Sequence, residues 1–137
     1  MKTILHNCEI DADGAAILPA LRTIDGLSGW WTTKVSGSAE VDGIIDFTFR
    51  DDFNPQMLVE EAGDGTVWRC VGGHEPWLDN RFHFELRGER PATVFFRQDY
   101  STELGDAAYG RYNFLWGLYL ASLVRYVEDG AGHPFRA

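Results

Sequence analysis

Residues 106–130 read DAAYGRYNFLWGLYLASLVRYVEDG, and the reading of this stretch decides the fold. Tyr112, Leu115, Trp116, Tyr119, Leu120, Leu123, Tyr126 and Val127 recur at spacings of three and four. A helix with that pattern carries a broad apolar stripe on one side and needs a large apolar surface to cover it. Asp106 is placed to cap its start, Gly130 to stop it, and Pro134 lies beyond.

The surface it needs is encoded upstream. From Thr32 to Tyr100 the apolar period becomes two, and strands are expected over residues 33–38, 43–50, 56–62, 66–72, 81–87 and 92–100. Turn signals such as Asp42-Gly43, Gly63-Asp64-Gly65 and Arg87-Gly88 separate them, and connections this short make an antiparallel meander. Ile45, Phe47, Phe49, Met57, Val59, Trp68, Cys70, Phe82, Phe84, Leu86, Val94, Phe96 and Gln98 form the inward set. Asp46, Glu60, Arg69, His83, Glu85 and Arg97 alternate with them and face water. Glu61 shares the parity of Met57 and Val59, which predicts that it ends the inward row or marks a rim.

Ahead of the meander, residues 3–11 read as a first strand with Ile4, His6, Cys8 and Ile10 inward. Two short helices follow, one over residues 14–23, capped by Asp13 and kinked or delayed by Pro19, the other over 26–31, capped by Asp25. Residues 131–137 are expected to be loose. The class is therefore α+β: a seven-stranded antiparallel sheet with two short helices after strand one and a long C-terminal helix, in one domain spanning 1–137.

Composition bounds the function. The chain has 137 residues, 45% hydrophobic and 24% charged, enough for one core without disulfides or metals. Five Trp, five Tyr and nine Phe must either fill that core or line a cavity. A net charge of −9 opposes nucleic-acid and anionic-membrane binding. No run approaches the ~20 apolar residues that cross a bilayer. The start lacks the apolar core of a signal peptide, so a cytoplasmic protein with reduced Cys8 and Cys70 is expected.

The element order is that of the helix-grip arrangement, in which a curved antiparallel sheet wraps the last helix. Leu21-Arg22-Thr23-Ile24-Asp25-Gly26-Leu27-Ser28-Gly29-Trp30-Trp31, Thr66-Val67-Trp68-Arg69-Cys70, Trp77 with Phe82-His83-Phe84-Glu85-Leu86, and Ala92 to Gln98 resemble segments of the START-like superfamily, also called polyketide-cyclase-like or SRPBCC. With the closing helix and its Val127-Glu128-Asp129-Gly130 ending, the chain looks most like the branch named after activators of the ninety-kilodalton heat-shock protein's ATPase. The resemblance covers nearly the whole chain. It departs at Gln98, where many members of the branch have His, and at Pro19. Any acid–base role for that His is therefore not implied here.

The superfamily includes carriers of hydrophobic ligands, cyclases and other enzymes, so the fold permits several functions. The expectation is non-enzymatic binding of a hydrophobic or aromatic small molecule between sheet and helix, near the N-terminal half of that helix. Trp31, Phe49, Met57, Trp68, Phe82, Phe84, Phe96, Gln98, Tyr112 and Trp116 would line the site, with Gln98 and Tyr112 orienting a polar end. A cyclase-like reaction in the same cavity, using Gln98, Tyr112 or Glu61, is the first alternative. A co-chaperone-like interaction module is the second, and a homodimer through an edge strand is possible. His6, His74, His83 and His133 show no metal-ligand spacing, no phosphate loop accompanies Gly72-Gly73, and no cofactor is expected. His74-Glu75, in a turn beside Trp77, is a further candidate for a pocket mouth.

Overall fold

The computed structural model describes residues 2–137. Its elements are β1 (Thr3–Ile10), α1 (Gly14–Arg22), α2 (Ile24–Trp30), β2 (Lys34–Gly37), β3 (Ile44–Thr48), β4 (Gln56–Ala62), β5 (Gly65–Gly72), a short 3-10 turn (Glu75–Trp77), β6 (Arg81–Arg87), β7 (Ala92–Asp99) and α3 (Asp106–Asp129). The sheet order is β1-β7-β6-β5-β4-β3-β2, antiparallel throughout. The two short helices carry the chain from one edge of the sheet to the other. The meander then returns strand by strand until β7 pairs with β1, from Thr3 opposite Asp99 to Ile10 opposite Ala92.

Period-two alternation holds across the sheet. Ile45, Phe47, Met57, Val59, Trp68, Cys70, Phe82, Phe84, Val94 and Phe96 are buried, and they meet Trp116, Leu120 and Leu123 of α3. One register shift changes the pattern: Val59 faces Trp68, but Glu61, not Glu60, faces Val67. That bulge inserts a residue and reverses the parity beyond it. Glu61 is consequently exposed on the outer face instead of ending the inward row, and Glu60 pairs with Arg69 and Arg81 there at 3.1 and 2.7 Å.

The helices correct two expectations about their starts. Thr23, not Asp25, caps α2, its Oγ1 accepting from the Gly26 amide at 2.9 Å, and Asp25 sits in the first turn. Gly105 occupies the cap of α3, which leaves Asp106 in the first turn, paired with Lys2 at 2.6 Å. Pro19 lies inside α1 without ending it: one amide is lost, but burial of Ile17, Ala20 and Leu21 on both sides of it holds the turn. Gly130, at φ 82°, terminates α3 as read.

The tail departs most from expectation. Ser122 Oγ donates to Trp30 O and accepts from the His133 amide, each at 2.7 Å. Phe135 then forms a parallel bridge with Thr32, its amide bonding Trp31 O at 2.9 Å and its carbonyl accepting from Thr33 at 2.8 Å. Trp31, Thr32 and Thr33 lie about a hundred positions from Phe135 in the chain, beyond the reach of local pattern.

The α1–α2 corner is the tightest joint. A Cβ at Gly26 would stand 2.1 Å from Pro19 O and 2.7 Å from Ala20 Cα, both backbone atoms that cannot rotate away. Across the corner, Trp30 Nε1 donates to Ala20 O at 2.7 Å. Gly26→Ala is expected to destabilise the protein by about 2 kcal/mol or more, as forced overpacking does, read as a lowered urea midpoint. An unchanged midpoint would contradict the close approach of the two helices.

Candidate functional site

Aromatic rings fill most of the space between sheet and helix. Trp31 stacks with Trp68 and Trp77 at centroid distances of 6.0 and 6.4 Å and meets Phe47 edge-on at 4.4 Å. Trp116 lies on Phe96 at 4.1 Å, and its indole N–H donates to Gln98 Oε1 at 2.9 Å. Gln98 is fully buried behind that indole.

The packing stops short at one end. A cleft of about 640 Å³ opens there, between the loop after β3, the 3-10 turn, the N-terminal half of α3 and the tail. Phe49, Phe53, Leu115, Tyr119 and Phe135 supply its apolar wall, and Arg50, Asp52, His74, Glu75, Arg111 and Tyr112 its polar atoms. Phe49 is the hub of that wall, with Phe53 at 4.6 Å, Phe135 at 5.5 Å and Tyr119 at 6.2 Å.

Of the ten residues read from the sequence, the structure brings Phe49 and Tyr112 to this cleft. Trp31, Met57, Trp68, Phe82, Phe84, Phe96, Gln98 and Trp116 lie behind it, buried in the ring stack. The cleft residues not read as ligand-lining come from the loop after β3, the 3-10 turn and the residue before it, the tail, and α3, which adds Arg111, Leu115 and Tyr119. His74 had a signal in its position beside Trp77, whereas Phe53 and Phe135 had none.

Local structure explains how His74 arrives. Gly73, at φ +81°, passes so close to the loop after β3 that a Cβ would sit 1.8 Å from Asn54 O. Only glycine takes that conformation in that space without strain. Asn54 in turn bonds Gly73 O through its amide at 3.1 Å and accepts from the Phe49 amide at 2.9 Å. The Gly72-Gly73 pair thus seats the turn and brings His74 edge-on to Phe53 at 4.7 Å.

His74 Nε2 lies 2.9 Å from Tyr112 Oη, and Nδ1 lies 3.3 Å from the carbonyl of Asp52. Burial lowers the His74 pKa, which favours the neutral ring. A carbonyl only accepts, which assigns the proton to Nδ1 and makes Nε2 the acceptor of the Tyr112 hydroxyl. Burial raises the pKa of Tyr112 and pushes that of Tyr119 up to about 12, keeping both phenols protonated. The pair is a fixed polar handle at the edge of an apolar recess.

The remaining chemistry is quiet. Cys8 and Cys70 are free thiols; burial pushes Cys8 up to about 11 and raises Cys70, which disfavours thiolate. Among the described residues no three His, Cys, Asp or Glu side chains converge to hold a metal ion. No helix of the described residues is long and apolar enough to cross a membrane.

No protein-family model matches the chain, and no curated protein matches it. Solved structures do. The Aha1 dimer from Colwellia psychrerythraea, a solution structure, is similar over 96% of this chain and 100% of its own, at 31% identity and a TM-score of 0.84. An AHSA1-like protein from Aeromonas hydrophila is similar over 94% of each chain, at 15% identity and a TM-score of 0.71. A Thalictrum norcoclaurine synthase, a point mutant in complex with a transition-state analogue, is similar over 92% of this chain and 93% of its own. Its identity is 12% and its TM-score 0.66. At their identities the last two share the fold alone.

A histidine whose folded pKa is depressed takes its proton more readily when unfolded. Its contribution to stability is complete above about pH 6.5 and declines as pH falls through the folded value. In a pH series of two-dimensional NMR spectra, the His74 ring is expected to titrate below 6.5. Tyr112→Phe, which removes the donor that favours the neutral ring, is expected to raise that midpoint. A wild-type midpoint at or above 6.5 would mean that the ring is solvated and the pair unformed.

Proposed function

The chain belongs to the Aha1 family of helix-grip, START-like proteins, and from that footing we propose that it binds a small hydrophobic or aromatic molecule in the cleft beside the N-terminal half of α3. One observation carries the reading: an open recess of about 640 Å³ with a ring-lined apolar wall and polar side chains along its edge. Ligand pockets run from roughly 300 to 1,000 Å³ and combine apolar walls with placed polar groups. Phe49, Phe53, Leu115 and Phe135 would supply apolar contact, and Tyr112, held by His74, would orient a polar end. The packed Trp31, Met57, Trp68, Phe82, Phe84, Phe96, Gln98 and Trp116 would act as the rigid backing of this wall. Preorganisation of that kind lowers the ordering cost of binding.

Binding without turnover fits the site better than cyclase-like catalysis. Gln98 is bonded to Trp116 away from the cleft, Glu61 is on the outer face, and His74 already accepts its neighbour's proton donor. The expected check is a thermal-shift screen against flavonoids, fatty acids and aromatic polyketides. A ligand at 100 times its Kd adds about 2.7 kcal/mol, which raises Tm by several degrees. Phe53→Ala is expected to weaken any hit by roughly tenfold through lost apolar burial, measured by calorimetry. Affinity unchanged in a folded Phe53→Ala protein would remove the cleft as the site.

A specific observation also favours self-association. Phe114 and Leu118, one helical turn apart on the outward face of α3, are 67% and 52% exposed, and the relative from Colwellia psychrerythraea is described as a dimer. A second copy of this chain is proposed to cover that face. Light scattering after size exclusion is expected to give a dimer mass that Phe114→Lys reduces to monomer. A monomeric wild-type protein at high micromolar concentration would rule this out.

A further inference from the structure

The charges around the cleft are arranged unevenly. Elsewhere Arg69, Arg81, Arg87, Arg90 and Arg97 each sit within 3.2 Å of an Asp or Glu oxygen, while Arg22 bonds Thr66 and the carbonyl of Gly63 and Arg125 bonds His133. Arg50 and Arg111 line the cleft, and neither has an acidic partner among the described residues. They come from different elements, Arg50 from the loop after β3 and Arg111 from the second turn of α3, so the fold brings them together.

Both guanidinium groups act on the Tyr119 hydroxyl, which has no hydrogen-bond partner among the described residues. Asp52 and Glu75 are the acidic groups of the lining: Asp52 acts on His74, Arg111 and Asp52 both act on Tyr112, and Glu75 follows His74 in the chain. Tyr119 thus lies under both guanidinium groups with no acidic group acting on it, whereas Asp52 acts on His74 and Tyr112.

We propose that the cleft selects an amphiphile bearing a single carboxylate, the acid group held by Arg50, Arg111 and Tyr119 and the apolar body lying along the ring wall. The inference rests on the cleft being the binding site. A guanidinium supplies paired donors matched to the two oxygens of a carboxylate, and charge-assisted bonds of this kind are about twice as strong as neutral ones. The protein's net charge of −9 repels anions in general. A preference for an anion must then come from a local arrangement, and this is the one the cleft contains.

The test uses N-phenyl-1-naphthylamine, a neutral fluorescent probe, displaced by decanoate, decanol or decylammonium at low ionic strength. Decanoate is expected to displace the probe at roughly one-tenth the concentration of decanol, the advantage of about one charge-assisted contact. Arg50→Gln and Arg111→Gln are each expected to narrow that ratio severalfold, as is raising the salt to 0.15 M. Arg136→Gln, outside the lining, is expected to leave it alone. Probe bound with decanol or decylammonium equal to decanoate would overturn the carboxylate preference while the cleft remains a binding site. Failure of the probe and all three ligands to bind would overturn both readings.

Discussion

The molecule is organised around Trp31. Its ring stands where α2, the inner face of the sheet and α3 converge, stacked near Trp68, Trp77 and Trp116 and edge-on to Phe47 and Phe49. Each of these rings comes from a different element or the loop beside it, so the position of Trp31 fixes how far the helix can settle into the sheet. Truncating a fully buried Trp typically costs about 3–5 kcal/mol, a large share of the stability of a domain this size. The arrangement carries its own cost, since the indole N–H groups of Trp31 and Trp68 are buried without an acceptor among the described residues. Ring packing has to outweigh those two losses.

The cleft follows from the same constraint. Trp31 and Trp77 lie against Trp116 of α3 at 5.4 and 6.1 Å, and beyond Trp77 the indoles give way to the smaller rings of Phe53, His74 and Tyr112. What remains is closed on one side by the His74 turn and on another by Phe135. Neither is part of the sheet–helix sandwich. Both are anchored by backbone bonds, Gly73 to Asn54 and Phe135 to Trp31 and Thr33, so the mouth of the recess is set by main-chain geometry while its depth is set by side chains.

The architecture was legible because period-two and period-3.6 patterns are local properties. The run from Phe47 to Phe96 and the stripe from Tyr112 to Val127 assigned the inner faces nearly residue by residue. Errors arose where a single residue broke the period or where partners were far apart. The bulge at Glu60–Glu61 reversed a parity that simple alternation carried through. Thr23 took a capping role that Asp25 could equally have filled on sequence grounds. The aromatic residues that the sequence offers for the site are apolar and inward, and inwardness alone does not distinguish a ring that fills from a ring that lines. Phe135 meets Phe49, and Phe53 meets His74 and Trp77, across tertiary contacts that leave no mark on their neighbours in the chain.

The tryptophan cluster also has an optical consequence. Trp30, Trp68, Trp77 and Trp116 all lie within 6.4 Å of Trp31, centroid to centroid, and all five indoles are fully buried. At such separations the transition dipoles couple, and excitation absorbed by one ring migrates among the others before emission. The five chromophores therefore respond as one antenna with a strong near-ultraviolet circular dichroism signal. Because Phe53 packs directly on Trp77, at 5.2 Å, a change at the rim of the recess is transmitted to an emission shared by the whole core.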